Sequence, residues 1–237
     1  MIRRQVVDRT IQITLVAGAL LASAGLSFAH QPAFTDSFMI EQCQFADAGV
    51  NPFFVLQPGH QLTLEGDEGK DRVRVTITVL RDTRVVDGVK TRVVEERETV
   101  NGELVEVSRN YFAICAPRNS VFYFGEEVDI YEGGVIVSHD GAWLAGQNGA
   151  KAGVMMPGEQ LLGARYFQEI APGVALDRAE TFSVDETLST PAGQFTGVLK
   201  VEETTPLEPR AREYKFYAPG IGLVQDAGVR LIEVRTP

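Results

Sequence analysis

Cysteine, histidine, tryptophan and positive charge are all scarce in this sequence. Two Cys, three His and one Trp occur among 237 residues, and 22 Lys or Arg stand against 32 Asp or Glu. Cys43 and Cys115 exclude a disulfide-dense scaffold and allow at most one bridge. There is no C-x-x-C, H-E-x-x-H, G-x-S-x-G or Walker loop, so the commonest redox, zinc-protease, serine-hydrolase and nucleotide sites are missing. The acidic balance disfavours nucleic acid and anionic membrane surfaces as partners. No segment keeps an apolar stripe at the helical period of about 3.6 residues.

What is present begins with a targeting pattern. Arg3, Arg4 and Arg9 precede an apolar stretch from Ile11 to Leu26, and Ser27-Phe28-Ala29 supplies small residues of the kind a signal peptidase reads. The stretch is too short and too interrupted for a membrane span. Residues 1–29 are therefore expected to be a signal peptide cleaved after Ala29. His30 becomes the first residue of a periplasmic or extracellular protein with no transmembrane segment. Cleavage removes three Arg and one Asp, leaving 19 basic and 31 acidic residues and a net charge of −12. In an oxidising compartment Cys43 and Cys115 can pair, and the alternative is two small buried thiols.

The remainder reads as all-β. Arg72–Val79 alternates polar and apolar residues, with Val73, Val75, Ile77 and Val79 on one face. The pattern continues through Thr83–Val86, Thr91–Val100 and Glu103–Ala113. Asp87-Gly88, Asn101-Gly102 and Gly133-Gly134 carry two-residue hairpin chemistry, which joins antiparallel neighbours. Gly66–Lys70 reads as a hairpin loop and Gly220-Ile221-Gly222 as a glycine turn.

An internal repeat organises these strands. Val79–Ala113 laid over Val184–Ala218 without gaps gives eight identities in 35 positions, among them Gly88 over Gly193 and Glu98-Thr99 over Glu203-Thr204. Asn101-Gly102 falls over Pro206-Leu207, and Asp87-Gly88 over Ala192-Gly193. The expected organisation is an N-terminal tail, 30–50, and one all-β domain, 51–237. Related halves at about 58–113 and 157–218 flank an insertion at 114–156. One meander cannot bury its apolar face alone. Two can, as a curved sheet, a sandwich or a barrel.

Candidate sites fall in the insertion. Glu127, Asp129 and Glu132 resemble the acidic strand of one family of retaining glycosidases, which need two carboxyls about 5–5.5 Å apart. Gly133-Gly134 places Glu132 at the strand's exit, and Trp143 is the only Trp where sugar clefts use several aromatic platforms. The competing reading is a solvated acidic edge hairpin. Phe122, Phe124, Trp143, Met155 and Met156 are candidates to line an apolar ligand space, and they equally fit a plain core. His30 with His60 or His139 could hold copper only if His30 and that second His converge. No metal or cofactor is expected.

Asn51–Gly59, Phe122–Glu126, Gly141–Gly146, Thr205–Pro209 and Glu213–Val224 together resemble a family of exported bacterial all-β proteins to which no activity is attached. The resemblance covers about 51–226 and implies an exported all-β domain. It carries over no catalytic residue. The reading favours a non-enzymatic role, binding a small apolar or lipid-like ligand or serving the cell envelope through an envelope protein. The alternatives are a glycoside-active enzyme using Glu127, Asp129 and Glu132, and a protein-interaction module.

Overall fold

The computed structural model describes residues 33–237. The expected signal peptide, its expected cleavage point and His30 lie outside the described residues. Phe34–Pro237 folds as one unit.

Strands dominate, as the alternation requires. The only helical piece among the described residues is a 3-10 turn, Ile40–Gln42. No helix among them is long and apolar enough to cross a membrane, a statement that bears on helices alone. Three short strands come first: β1 (Phe45–Ala46), β2 (Gly49–Asn51) and β3 (Phe54–Leu56). The first half continues with β4 (Gln61–Glu68), β5 (Asp71–Val86), β6 (Val89–Val100) and β7 (Glu103–Cys115). The insertion supplies β8 (Ser120–Glu132), β9 (Val135–Ser138), β10 (Trp143–Leu144) and β11 (Lys151–Met156). Then come β12 (Arg165–Phe167), β13 (Glu169–Ile170), β14 (Arg178–Thr190), β15 (Gly193–Thr205), β16 (Glu208–Ala218), β17 (Gly222–Asp226) and β18 (Val229–Arg235).

The hairpin turns fall where turn chemistry places them. Asp87 and Asn101 adopt positive φ (48° and 53°) before glycines that do the same, as two-residue turns demand. Gly133-Gly134 turns β8 into β9. In the second half the turns lie at Pro191-Ala192 and Pro206-Leu207. The first is one residue earlier than the gapless repeat places it. Both halves therefore contain a three-strand antiparallel meander, β5–β7 and β14–β16.

One sheet runs in the order β12-β14-β15-β16-β17-β18-β4-β5-β6-β7-β8-β11-β13. Pairing of β18 with β4 joins the second half to the first. The end strands β12 and β13 are separated in sequence by a single residue, Gln168, so the chain itself brings the two ends of the sheet together. The result is one nearly closed, barrel-like sheet rather than a two-sheet sandwich. At the seam Gly153 of β11 comes so close to the opposite backbone that a Cβ there would lie 2.3 Å from the Gln168 carbonyl oxygen. The Gln168 amide donates to Glu203 at 2.9 Å, and its backbone N–H donates to the Asp177 carbonyl at 2.8 Å.

Register sorts the side chains into two faces. Leu62, Leu64, Val75, Val79, Val94, Ser108, Asn110 and Phe112 share the inner face of β4–β7. The outer face carries a charged ladder: Arg72 and Arg74 with Glu65, then Arg109 with Glu95 and Asp129. In the second half Leu199, Val201, Tyr217 and Leu231 are buried inside. With them lies an ion triad, in which Lys215 meets Glu203 at 2.8 Å and Asp226 at 3.8 Å. Burial pulls the Lys215 ammonium down, but Asp226 and Glu203 outweigh it and hold its pKa well above the ordinary value.

Segment 34–46 lies against this sheet. Phe38 and Phe45 pack edge-to-face on Phe122, and Phe45 also packs on Phe124. Cys43 is bonded to Cys115, a bridge spanning 72 residues, and β1 pairs with the end of β7. The disulfide thus holds an aromatic cover over β8.

Two stability predictions arise here. Cys43→Ser should cost about 2–4 kcal/mol in urea unfolding, because the long loop regains entropy when unfolded. Gly153→Ala should cost more than about 2 kcal/mol, since the seam backbone must move to admit a methyl group. An unchanged unfolding midpoint for either variant would contradict this packing.

Candidate functional site

A cavity of about 210 Å³ opens where β8, β10 and the loop after β13 meet. Its walls are Ala142, Trp143, Leu144, Ala150, Ala171, Pro172 and Val174, with Gln147, Asn148, Glu126 and Glu127 as the polar members. The two loops that frame it are held by their own backbone. Gly146 and Ala150 are tied by an N–H to carbonyl bond of 3.0 Å, and Ala171 and Ala175 exchange two.

The position of Glu126 depends on a bulge in β8. Asn110 lies opposite Glu126 and Phe112 opposite Tyr123, so Tyr111 alone faces both Phe124 and Gly125. Two residues against one shift the alternation by one position. Gly125 accepts φ +131° there, and a Cβ would lie 2.3 Å from the Trp143 carbonyl oxygen, so glycine is required twice over. Past the bulge, Tyr123 and Glu126 both face inward. Across β10 the partner of Glu126 is Trp143.

Glu126 is 5% exposed and Trp143 6%. The Glu126 Oε2 and the Trp143 indole Nε1 have no hydrogen-bond partner among the described residues. Each unpartnered buried polar atom costs on the order of 1–3 kcal/mol, and native structures contain few of them. The surrounding polar groups are ordered. Tyr123 donates to Asn110 Oδ1, and Asn110 donates to Ser108 Oγ at 3.0 Å and to the Val94 carbonyl. Tyr123 also packs edge-to-face on Trp143, with ring centroids 5.4 Å apart. Burial pushes the Glu126 carboxyl up to about 7; Glu106 and Glu96 add to the rise, and the Tyr123 hydroxyl opposes it. Glu169 of β13 is also fully buried and raised well above the usual carboxylate range, by burial first and then by Asp177 and Glu126.

The acidic residues singled out from the sequence sit differently. Glu127 faces outward, where Arg84 and Tyr111 hydrogen-bond its carboxylate. Arg84 holds its pKa below the ordinary value. Asp129 lies on the same outer face, paired with Arg109 at 3.1 Å and with His139 at 3.0 Å. Glu132 is exposed at the end of β8. The strand thus brings Glu127 and Asp129 to one face, each already engaged by basic partners, and leaves Glu132 at the turn. Of the five candidate lining residues, Trp143 alone is in the cavity wall. Phe122 and Phe124 pack under Phe38 and Phe45. Met156 is buried beside the Gln160 amide, and half-buried Met155 lies beside that of Gln168. His60 is buried against the Ile221 carbonyl (2.9 Å), whereas the exposed His139 bonds the Val128 carbonyl. Among the described residues no group of three or more His, Cys, Asp or Glu could hold a metal.

Glu126, Glu169, Tyr123 and Asn110 are the site residues that pattern reading passes over. The one available signal was Gly125 inside a strand, which marks a bulge and hence a change of face.

No protein-family model matches the chain, and no curated protein matches it. Among solved structures, a "putative lipoprotein" from Parabacteroides distasonis ATCC 8503 is similar, with a TM-score of 0.38 and 12% identity. The alignment covers 79% of this chain and 100% of that one. At that TM-score the likeness carries no argument.

The raised Glu126 carboxyl makes a pH-dependent prediction. The folded protein holds this proton more tightly than the unfolded chain does. Ionising it therefore lowers stability as pH rises from about 4.5 to about 7, with no further change above. Glu126→Gln removes that loss. The variant should match the parent at pH 5 and exceed it by about 2–3 kcal/mol at pH 8 in urea unfolding. A difference that stays constant with pH would show that Glu126 is not held protonated by its surroundings.

Proposed function

We propose that this chain is an exported binding protein whose cavity between β8, β10 and the 171–175 turn takes a small molecule. Three features support the exported setting: the targeting pattern at the N-terminus, the family resemblance in the motifs from 51 to 226, and the Cys43–Cys115 bridge, which suits an oxidising compartment. The observation that carries the binding reading is the pair of orphaned polar atoms, Trp143 Nε1 and Glu126 Oε2, in residues that wall the cavity. A folding core satisfies or avoids such atoms. A binding site keeps them for a ligand.

Volume narrows the ligand. An apolar cavity of about 150 Å³ holds benzene, and drug-sized sites run to about 300–1,000 Å³. About 210 Å³, partly open to solvent, accommodates one ring with a short substituent. An enzymatic reading has less support, because Glu127 and Asp129 turn away from Glu126 and are ion-paired. A protein-interaction reading has one observation in its favour. The edge strand β9 exposes Val135, Ile136 and Val137.

The test is native mass spectrometry of the protein taken from its own cell envelope without refolding. The expected spectrum is a monomer beginning at His30, about 2 Da light for the disulfide, with a reproducible adduct below about 200 Da, the size such a cavity admits. A dimer or a co-purifying chain would favour the β9 reading. A ligand-free monomer, with Trp143 fluorescence unmoved by a fragment library, would sink the binding reading.

A further inference from the structure

We propose that the cavity recognises a compact amine, bound as its ammonium ion, that also carries a hydroxyl or carbonyl oxygen. The proposal rests on the binding reading and names the chemistry of its ligand.

The sign of charge comes first. Among the described residues no Lys, Arg or His lines the cavity, while the Glu126 carboxyl faces inward there and Glu127 turns its own outward. Glu126 is surrounded by more acid from every element packed on it that carries a titratable group. Glu96 of β6 and Glu106 of β7 share its inner face, and Glu169 comes from β13. Among the described residues the Tyr123 hydroxyl on its own strand also faces it. Arg84 lies on the opposite face of the sheet and is engaged by Glu127 and Tyr111. An anion entering this field would be repelled. A neutral guest would leave the buried carboxylate uncompensated. A cation supplies the missing charge.

The second atom sets the ligand's other end. The indole N–H of Trp143 can only donate, so it calls for an acceptor. Trp143 and Glu126 are direct cross-strand partners, which puts their Cβ atoms about 4.5–5.5 Å apart. Glu126 and Trp143 thus stand on neighbouring strands, so one compact ligand carrying both a donor and an acceptor, such as an amino alcohol or an amino amide, matches the pair. Leu144, Pro172 and Val174 receive the carbon skeleton. A bare metal ion fits poorly, since the cavity wall gives it one inward carboxylate and mostly carbon.

The test uses three probes of one shape: phenylglycinol (ammonium), phenylethanediol (neutral) and mandelate (anion). The single Trp is the reporter, with calorimetry as a second readout. At pH 7.5 phenylglycinol should bind at least about tenfold tighter than the diol, and mandelate should not bind. Its affinity should fall roughly 20-fold between pH 7.5 and 5.5 as Glu126 takes up its proton, while that of the diol stays level. Glu126→Gln should abolish the preference for the amine and keep the diol. The pH profile of the unmodified protein tests the same point should that variant not fold. Equal affinity for amine and diol, or tighter binding of mandelate, would overturn the ammonium assignment and leave the binding reading standing. No response to any probe, with no adduct on the protein from its envelope, would remove both.

Discussion

Gln168 joins the two end strands of the sheet, and that short tether constrains everything around it. A sheet of this length must hide its edges or curl. With one residue between β12 and β13, the chain requires it to curl. The seam has little tolerance. Gly153 leaves no room for a methyl group, and the Gln168 amide reaches the buried Glu203, which in turn holds Lys215. Closure and the interior ion triad are therefore one arrangement. In the triad one ammonium serves two carboxylates, and replacing Lys215 would strand both acids in a low-dielectric interior.

The bulge at Gly125 does for the cavity what Gln168 does for the sheet. Without the extra residue β8 would alternate evenly, and Glu126 would fall on the outer face with the charged ladder. With it, consecutive glutamates separate into opposite environments. Glu127 is held ionised by Arg84, and Glu126 is raised by burial among other acids. The same glycine lets β10 approach closely enough to lay Trp143 opposite Glu126. One backbone feature thus places the aromatic wall and the buried acid together.

Much of the architecture was legible because it depends on local rules. The period-two alternation of Val73 to Val79, the Asp87-Gly88 and Asn101-Gly102 turns, and the exit of β8 at Gly133-Gly134 each follow from residues adjacent in sequence. Closure was not legible in this way. It depends on β18 finding β4 and on the short strands between 165 and 170, where no periodicity survives. The candidate site was legible only in part. Trp143 does wall the cavity, but Phe122 and Phe124 could not be separated from core, because their cover, Phe38 and Phe45, belongs to a segment held in place by the disulfide. Glu126 was hidden by parity. Counting alternate residues through Gly125 puts it on the wrong face.

The distribution of acid argues that the interior is not optimised for folding alone. The outer ladder pairs its carboxylates with arginines at little cost, since exposed ion pairs are nearly neutral to stability. The inner face instead gathers Glu126 and Glu169 with unpartnered oxygens and raised affinity for protons. Proteins keep buried, electrostatically strained groups chiefly where those groups have chemistry to perform. The two carboxyls raised in this way lie in the wall of one cavity and the seam behind it. That wall includes the chain's only tryptophan and loops tied by their own hydrogen bonds. A rigid frame holding an unsatisfied acid is what recognition of a small, complementary charge requires. The disulfide and the closed seam supply the stability that lets the acid remain.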